Sequence, residues 1–360
     1  MEDVEIKLIL NKSYWNKKKV LITGHTGFKG AWLSLILLNL GAKVIGVSNK
    51  NLVTKPSLFY ELKLKDKIDH NIFDIRNKKK IHNLINDRKP DIIFHFAAIS
   101  IVKENFLNPI DSYTTNFNGT LNLLESLRGY NKTINLIIST TDKVYLNENT
   151  NIQFFDESKP LGSNDTYALS KVMVEQVSKS YSLKYFKNSN VKVLTVRAGN
   201  VIGGGDWASE RLIPDLIRSH FLKKQLFIRN IDYVRPWQHV LEALTGYMRL
   251  AEKIEKSNKL YDCYNLGPLS KKVNSVRDVI NIINKKINLN IKFKILKLKK
   301  FDEDPILLLN SEKMRKTLKL ESKYEFEKTI KNTIHWYIDF YNGENAIDIC
   351  NKNLEDYGII

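Results

Sequence analysis

The sequence predicts an α/β protein: a doubly wound parallel sheet followed by a smaller α/β lobe towards the C-terminus. Three observations carry this. A short apolar run near the start ends in a glycine-rich turn that opens a helix. Strand-like apolar runs alternate with helix-periodic segments from Lys19 to Val196. After Arg197 the runs shorten and the alternation stops. With 360 residues and 43% apolar side chains, the chain is long enough for one large domain or two lobes.

Lys19-Val-Leu-Ile-Thr23 reads as the first strand. Gly24, Gly27 and Gly30 follow, and Phe28 to Leu40 has helical spacing. Glycines allow a tight turn, and a helix N-terminus offers free N–H groups to a pyrophosphate. The spacing is G-x-x-G-x-x-G. Lys43 to Ser48 is the second strand; where a ribose-binding carboxylate is often found, this chain has Ser48-Asn49-Lys50. A third strand is expected to end at Phe73-Asp74-Ile75. Asp91 to Ala98 and Ile134 to Ser139 are a fourth and fifth, apolar enough for a sheet buried on both faces. Ser112 to Leu127 is a helix. A helix carrying Tyr167 follows, then Val191 to Val196 as a sixth strand.

Beyond it, Gly203 to Trp207 is a loop, Pro214 to Lys223 a helix and Phe227 to Asn230 a strand. Arg235 to Val240 leads into a helix to about Ile254. Tyr264 to Gly267 reads as a strand returning to the main sheet. Ser275 to Ile287 is an amphipathic helix, Lys292 to Leu296 a strand, and Phe326, Ile330, Ile334, Tyr337 and Tyr341 mark a last helix. The expected division is a Rossmann dinucleotide domain over 18–200, rejoined by 237–267, and a substrate lobe over 201–236 and 268–342. Residues 1–17 are an arm, and 343–360 carry no readable signal.

Tyr167-Ala-Leu-Ser-Lys171 sits at the centre of the expected chemistry. Residues four apart share a helix face, so phenol and ammonium project together. A nearby cation is expected to lower the phenol from about 10 towards neutrality, making a base for a sugar or alcohol hydroxyl. Ser139-Thr-Thr-Asp-Lys143 stands just before it at a strand end.

The net charge is +18, with lysines scattered rather than clustered. It reflects a composition rich in Lys, Asn and Ile throughout, or suits a polyanionic small substrate such as a nucleotide sugar with its diphosphate. A nucleic-acid partner is not expected, since no recognition motif is present. No run of about 18 apolar residues suggests a membrane span. Cys263 and Cys350 lack ligand spacing, so no metal is expected, and a reducing cytoplasm is the natural setting.

Together these stretches resemble the extended short-chain dehydrogenase/reductase family, from about Lys18 to Pro268. Gly24 to Leu33, Arg197 to Ala208, Arg235 to Val240 and Asp142-Lys143 are similar to the stretches of its CDP-glucose 4,6-dehydratases. The resemblance implies a redox-neutral dehydration of a nucleotide-diphosphate sugar with a retained NAD; NADP stays open. It assigns Gly24, Thr26, Gly27, Phe28, Lys29, Gly30, Asp74, Ile75, Ala97, Ala98, Tyr167 and Lys171 to the cofactor. Tyr167 takes the C4 hydroxyl proton, Thr141 bonds that hydroxyl, and Lys171 holds the nicotinamide ribose and depresses the phenol. Asp142 is the acid at the C6 oxygen. Lys143 is the C5 base or an electrostatic stabiliser. Arg211 and Arg235 are assigned to phosphates, with Asn200 and Asn265 as hydrogen-bonding partners. Trp207 packs near the base or sugar, or fills the space between lobes.

The resemblance also implies a homodimer built on the Ser112–Leu127 and Tyr167 helices, with Leu123, Leu124 and Val174 either interface or core positions. The chain departs from the family at Ile99-Ser100, at Leu146 to Phe155 and at Ser163 to Thr166. These are expected near the sugar, so the hexose could be altered or be a heptose. A 4-epimerase or 4-reductase would need Tyr167 and Lys171 but not Asp142-Lys143. A non-catalytic dinucleotide-binding regulator would normally lose the Tyr/Lys pair.

Overall fold

Seven of the apolar runs pair in one parallel sheet. They are β1 (Lys19–Thr23), β2 (Lys43–Ser48), β3 (Asp69–Ile72), β4 (Ile92–His95), β5 (Ile134–Thr141), β6 (Val191–Ala198) and β7 (Tyr261–Leu266). The order across the sheet is β7-β6-β5-β4-β1-β2-β3, and every neighbouring pair is parallel. This computed structural model describes residues 9–50, 54–147, 152–269, 272–295 and 304–360. The expectations for 1–8, for 148–151 and for Leu296 lie outside the described residues.

Helices cover both faces. Phe28–Asn39 and Val240–Glu255 pack one side in a core with Val20, Ile22, Ile92 and Phe94. Lys78–Arg88, Gly119–Ser126 and Thr166–Lys184 pack the other with Leu21, Ile93, Leu136 and Ile138. All eight residues of β5 are buried, which is why its run is apolar apart from Asn135 until its polar end. Edge strand β3 is short, polar and partly exposed, which blunts the edge. It stops three residues before the expected Ile75.

Four expectations change in detail. Ser112 to Leu127 is a helical path broken by a π stretch, Thr114–Asn118. That widening aims Asn116 inward, where Oδ1 accepts from the Ile99 N–H (2.8 Å) and Nδ2 donates to Ser170 Oγ (2.9 Å). Leu123, Leu124 and Val174 are fully buried against the sheet, so they are core and not an outer interface. The arm is anchored from residue 10 onward: Leu10 and Trp15 are buried, and Trp15 Nε1 donates to Glu252 Oε1 at 2.7 Å. The C-terminal stretch forms a helix, Ala346–Tyr357, burying Ile349, Cys350 and Leu354. Its signal was a four-residue apolar spacing behind an Asn345 cap.

The lobe contributes the paired strands Leu226–Ile228 and Phe293–Ile295 and the helices Leu212–Phe221, Val276–Lys286 and Phe326–Tyr341. The Gly203-Gly-Gly loop joins it to the sheet. Trp32 Nε1 donates to the Gly204 carbonyl (2.9 Å), and a Cβ on Gly204 would lie 1.9 Å from the Trp336 ring. Only glycine permits that approach. Among the described residues no helix is long and apolar enough to cross a membrane.

Candidate active site

Between β4 and β1 the strand order reverses, and ligands bind outside strand C-termini at such a point. A cavity of about 760 Å³ opens there. Its floor is the strand ends: Gly24, Ala97, Ala98, Ser139 to Lys143 and Ala198; its far wall is the lobe strand Leu226–Ile228 with Arg229, Tyr233 and Arg235.

The glycine turn forms one wall. Gly24 has φ +78°, and a Cβ on it would lie 2.8 Å from the Ala97 nitrogen. A Cβ on Gly30 would lie 2.3 Å from the Gly24 carbonyl oxygen. The turn therefore needs glycine at both positions. Gly27 caps Phe28–Asn39 with no side-chain hydrogen bond, so the helix N-terminus is open to an anion. Thr26, Asp74 and Ile75 line the same wall. This cradle fits a dinucleotide. Asp74 is ion-paired with Arg76 (2.7 Å), which also holds Asp111 (2.8 Å); Arg76 keeps the Asp74 carboxyl below its usual range. Lys29 does not stay at the turn: its Nζ donates to Ser139 Oγ (3.0 Å) beside the Phe96 ring. Burial, then Lys171 and Arg211, bring it down to about 7.

At the floor, Thr141 Oγ1 donates to Asp142 Oδ1 (3.0 Å) and also reaches the Tyr167 phenol. Asp142 is buried, and its Oδ2 has no hydrogen-bond partner. Burial raises its pKa although Lys143, Thr141 and Arg235 pull the other way. Lys171 Nζ donates to the Ser139 carbonyl (2.9 Å), and burial brings it down to about 8. Here one expectation fails. Tyr167 is pushed up to about 12, not down, because burial and the Asp142 carboxyl outweigh Thr141 and Arg211. Lys171 is spent on Ser139, and desolvation weakens its own charge.

Arg211 and Arg235 both line the cavity, as does Asn200. Arg211 is oriented by Asp206 (2.7 Å) and Ser100 Oγ (3.0 Å); Arg235 donates to the Val234 carbonyl (2.8 Å). Two expected residues do not reach the cavity wall. Trp207 packs among Trp336, Tyr337 and Phe340, filling the junction between lobe and sheet. Asn265 is buried below the floor, accepting from Tyr145 Oη (2.6 Å) and donating to the Phe155 carbonyl (2.7 Å). Of the divergent stretches, Ile99 and Ser100 line the cavity, whereas Phe155 stacks on Tyr145 and neither 152–155 nor 163–166 lines it.

Two groups escaped the sequence reading. Lys103, Glu210 and Arg229 form a chain at the mouth (2.9 and 2.7 Å). They come from three distant stretches, so no spacing announces them. Glu175 pairs with Arg197 beneath the floor (3.0 Å); its place four residues after Lys171 was a readable signal.

Residues 21–333 match the GDP-mannose 4,6 dehydratase family. The chain is 34% identical over 355 residues to a CDP-glucose 4,6-dehydratase of Salmonella typhimurium, covering 97% of this chain and 98% of that one. It is 26% identical to a UDP-glucose 4-epimerase of Mycoplasma genitalium, covering 91% and 98%. Among solved structures, the dTDP-glucose 4,6-dehydratase of Bacillus anthracis in complex with NAD superposes with a TM-score of 0.74 at 23% identity, covering 92% and 99%. The UDP-glucose 4-epimerase of Thermotoga maritima gives 0.77 at 20%, covering 89% and 99%, and shares the fold. With its sheet, glycine turn and Tyr/Lys helix in place, this chain belongs to the GDP-mannose 4,6 dehydratase family, within the extended short-chain dehydrogenases/reductases.

Proposed function

We propose that the protein is an NAD-dependent nucleotide-sugar 4,6-dehydratase that converts CDP-glucose to CDP-4-keto-6-deoxyglucose. The observation that carries this is Asp142: a buried carboxyl with raised pKa and one unpartnered oxygen beside Tyr167 and Lys143. A 4-epimerase has no use for a protonated acid there. The similarity to CDP-glucose 4,6-dehydratase over nearly the whole chain supports the same reading.

NAD would supply a hydride acceptor for C4 and the donor that returns the hydride at C6, and a positive charge that would favour the phenolate. The glycine turn and the open N-terminus of Phe28–Asn39 would hold its pyrophosphate, and Tyr167 and Lys171 would hold its nicotinamide ribose. Arg76 is already neutralised by Asp74 and Asp111, which favours NAD over a 2′-phosphorylated cofactor. Tyr167 accepts the C4 hydroxyl proton, and Thr141 holds the same oxygen. The resulting ketone acidifies C5. Asp142 then protonates the C6 oxygen, which leaves as water. Lys143 serves the C5 side: neutral, it takes the proton and returns it to C5 as the hydride reaches C6; charged, it stabilises the enolate while water carries that proton. The pH dependence of C5 exchange separates the two roles. Arg211 and Arg235 clamp the diphosphate.

Ile99 and Ser100 border the sugar end, and a different hexose or a heptose in place of glucose is the second reading they support. Phe106, Leu107 and Ile110 stand exposed near the start of the helical stretch expected at a dimer interface, which supports a homodimer. The two free cysteines suit the cytoplasm.

The test is incubation with CDP-glucose and a panel of CDP-, UDP-, dTDP- and GDP-sugars, with product mass as the readout. Loss of one water from CDP-glucose without added reductant is expected. Loss of water from another sugar alone would move the substrate; unchanged mass with inverted C4 would overturn the dehydratase reading.

A further inference from the structure

A fully buried charge with four hydrogen-bond donors lies outside the cavity. Glu175 is 1% exposed and sits one helical turn after Lys171, on the same face. Its Oε1 accepts from Thr140 Oγ1 (2.5 Å). Its Oε2 accepts from Thr195 Oγ1 (2.8 Å), Arg197 (3.0 Å) and Tyr261 Oη (3.3 Å). Thr140 immediately precedes Thr141 on β5, and Arg197 is its register partner on β6. Arg197 goes on to Tyr145 Oη (2.9 Å), and Tyr145 to Asn265. A buried, fully bonded carboxylate thus ties three strands to the catalytic helix.

We propose that Glu175 is a positioning residue that acts through Lys171: its negative charge keeps the buried Lys171 an ammonium, and its bond to Thr140 fixes the end of β5 that presents Thr141. The inference rests on the reading of Lys171 as a charged group, and it concerns the protein alone, before any sugar binds.

The surroundings of Lys171 make Glu175 necessary. Lys29, from the glycine-turn helix, repels it. His95 on β4 is pressed down to about 3 by burial and then by Lys171, so it stays neutral. Tyr167 is held protonated by burial, and Tyr247 engages Ser139 Oγ (2.7 Å). Asp142 acts on Tyr167 and is itself pushed towards its neutral form by burial. Around Glu175 the other ionisable groups are Arg197, Tyr145, Tyr261 and Cys263; burial raises the last three. Burial lowers Lys171, and the opposing charge is that of Glu175.

A purely structural ion pair and a charge-setting one predict different results. The measurement is the titration of Lys171 in the full-length protein, followed by NMR of ¹³C-labelled lysine side chains and assigned by loss of the signal in Lys171→Met. The wild-type midpoint is expected at about 8. Glu175→Gln should lower it by about one pH unit. Arg197→Met, which breaks the same pair from the other side, should raise it. If structure alone mattered, both would shift it the same way or not at all, and that result overturns the proposal. The double variant Glu175→Gln/Arg197→Met leaves no orphaned charge and so tolerates folding best. Its midpoint should still fall, because Glu175 is the charge that acts on Lys171 from one helical turn away; an unchanged midpoint there also overturns the proposal. In the enzyme assay, the alkaline limb of kcat/KM should move with each midpoint, and Glu175→Asp should restore it. Failure of the sugar assay would leave the titration result standing.

Discussion

The two ends of the cavity are built on opposite physics. At the floor, Asp142 and Lys171 are buried and Tyr167 is half-buried, and desolvation sets the direction of every shift. At the mouth, Lys103, Glu210 and Arg229 hold one another with about a third or more of each side chain exposed. Charges in a dry site interact strongly and reorganise little. Exposed pairs are screened and contribute on the order of 0–1 kcal/mol. Under the proposed function, chemistry is thus concentrated where water is excluded, and the mouth meets the anionic substrate first.

The sharpest way to break this contrast is Tyr167→Phe. Removing the phenol proton acceptor should lower kcat by about 10³-fold or more while substrate affinity holds, read by product mass and by calorimetric titration. A comparable kcat from the phenylalanine variant would transfer the base to another group. Next comes Asp142→Asn. Loss of water should slow about 10²-fold, while exchange of the C5 proton with deuterated solvent persists. Equal loss of both would show that Asp142 serves the ring as a whole. Because its pKa is raised, wild-type Asp142 stays protonated to a higher pH than an ordinary carboxyl, and water loss should fall as pH rises through that value.

A third prediction concerns the stability of the buried side. His95 bonds Thr23 (2.7 Å) and Thr120 (2.9 Å), and burial lowers its pKa to about 3; burial does the same to His239. Both values lie below that of an unfolded histidine, about 6.5, so the unfolded chain binds more protons in between. Stability is present above pH 6.5 and is lost as pH falls towards 3, at up to about 1.4 kcal/mol per pH unit for each histidine. Calorimetric Tm should drop over this window, and His95→Asn should flatten the drop. The smallest effect belongs to the mouth. Glu210→Gln should change KM by only a few-fold and increase its salt dependence, since it breaks two ion pairs at the mouth and leaves the site one unit more positive. A large change in kcat instead would mean that the mouth shapes the floor.

Much of this was legible in the chain. Gly24 and Gly30 announce their turn because no other residue fits against the Ala97 backbone and the Gly24 carbonyl. The β5 run announces a doubly covered strand because every residue in it is buried. Tyr167 and Lys171 share a face by helical geometry alone, as do Lys171 and Glu175. These are local consequences of sterics and periodicity, and they determined the sheet, the cofactor turn and the catalytic helix. The tertiary structure decided what those groups are worth. It sent Trp207 into the lobe junction and Asn265 beneath the floor, and it turned the Lys171 ammonium to the Ser139 carbonyl. It also raised the phenol that a neighbouring lysine was expected to lower. The physical reason is that side-chain burial and long-range charge pairing depend on segments far apart in the chain. Periodicity tells which face a side chain occupies, and only packing tells how much water it keeps.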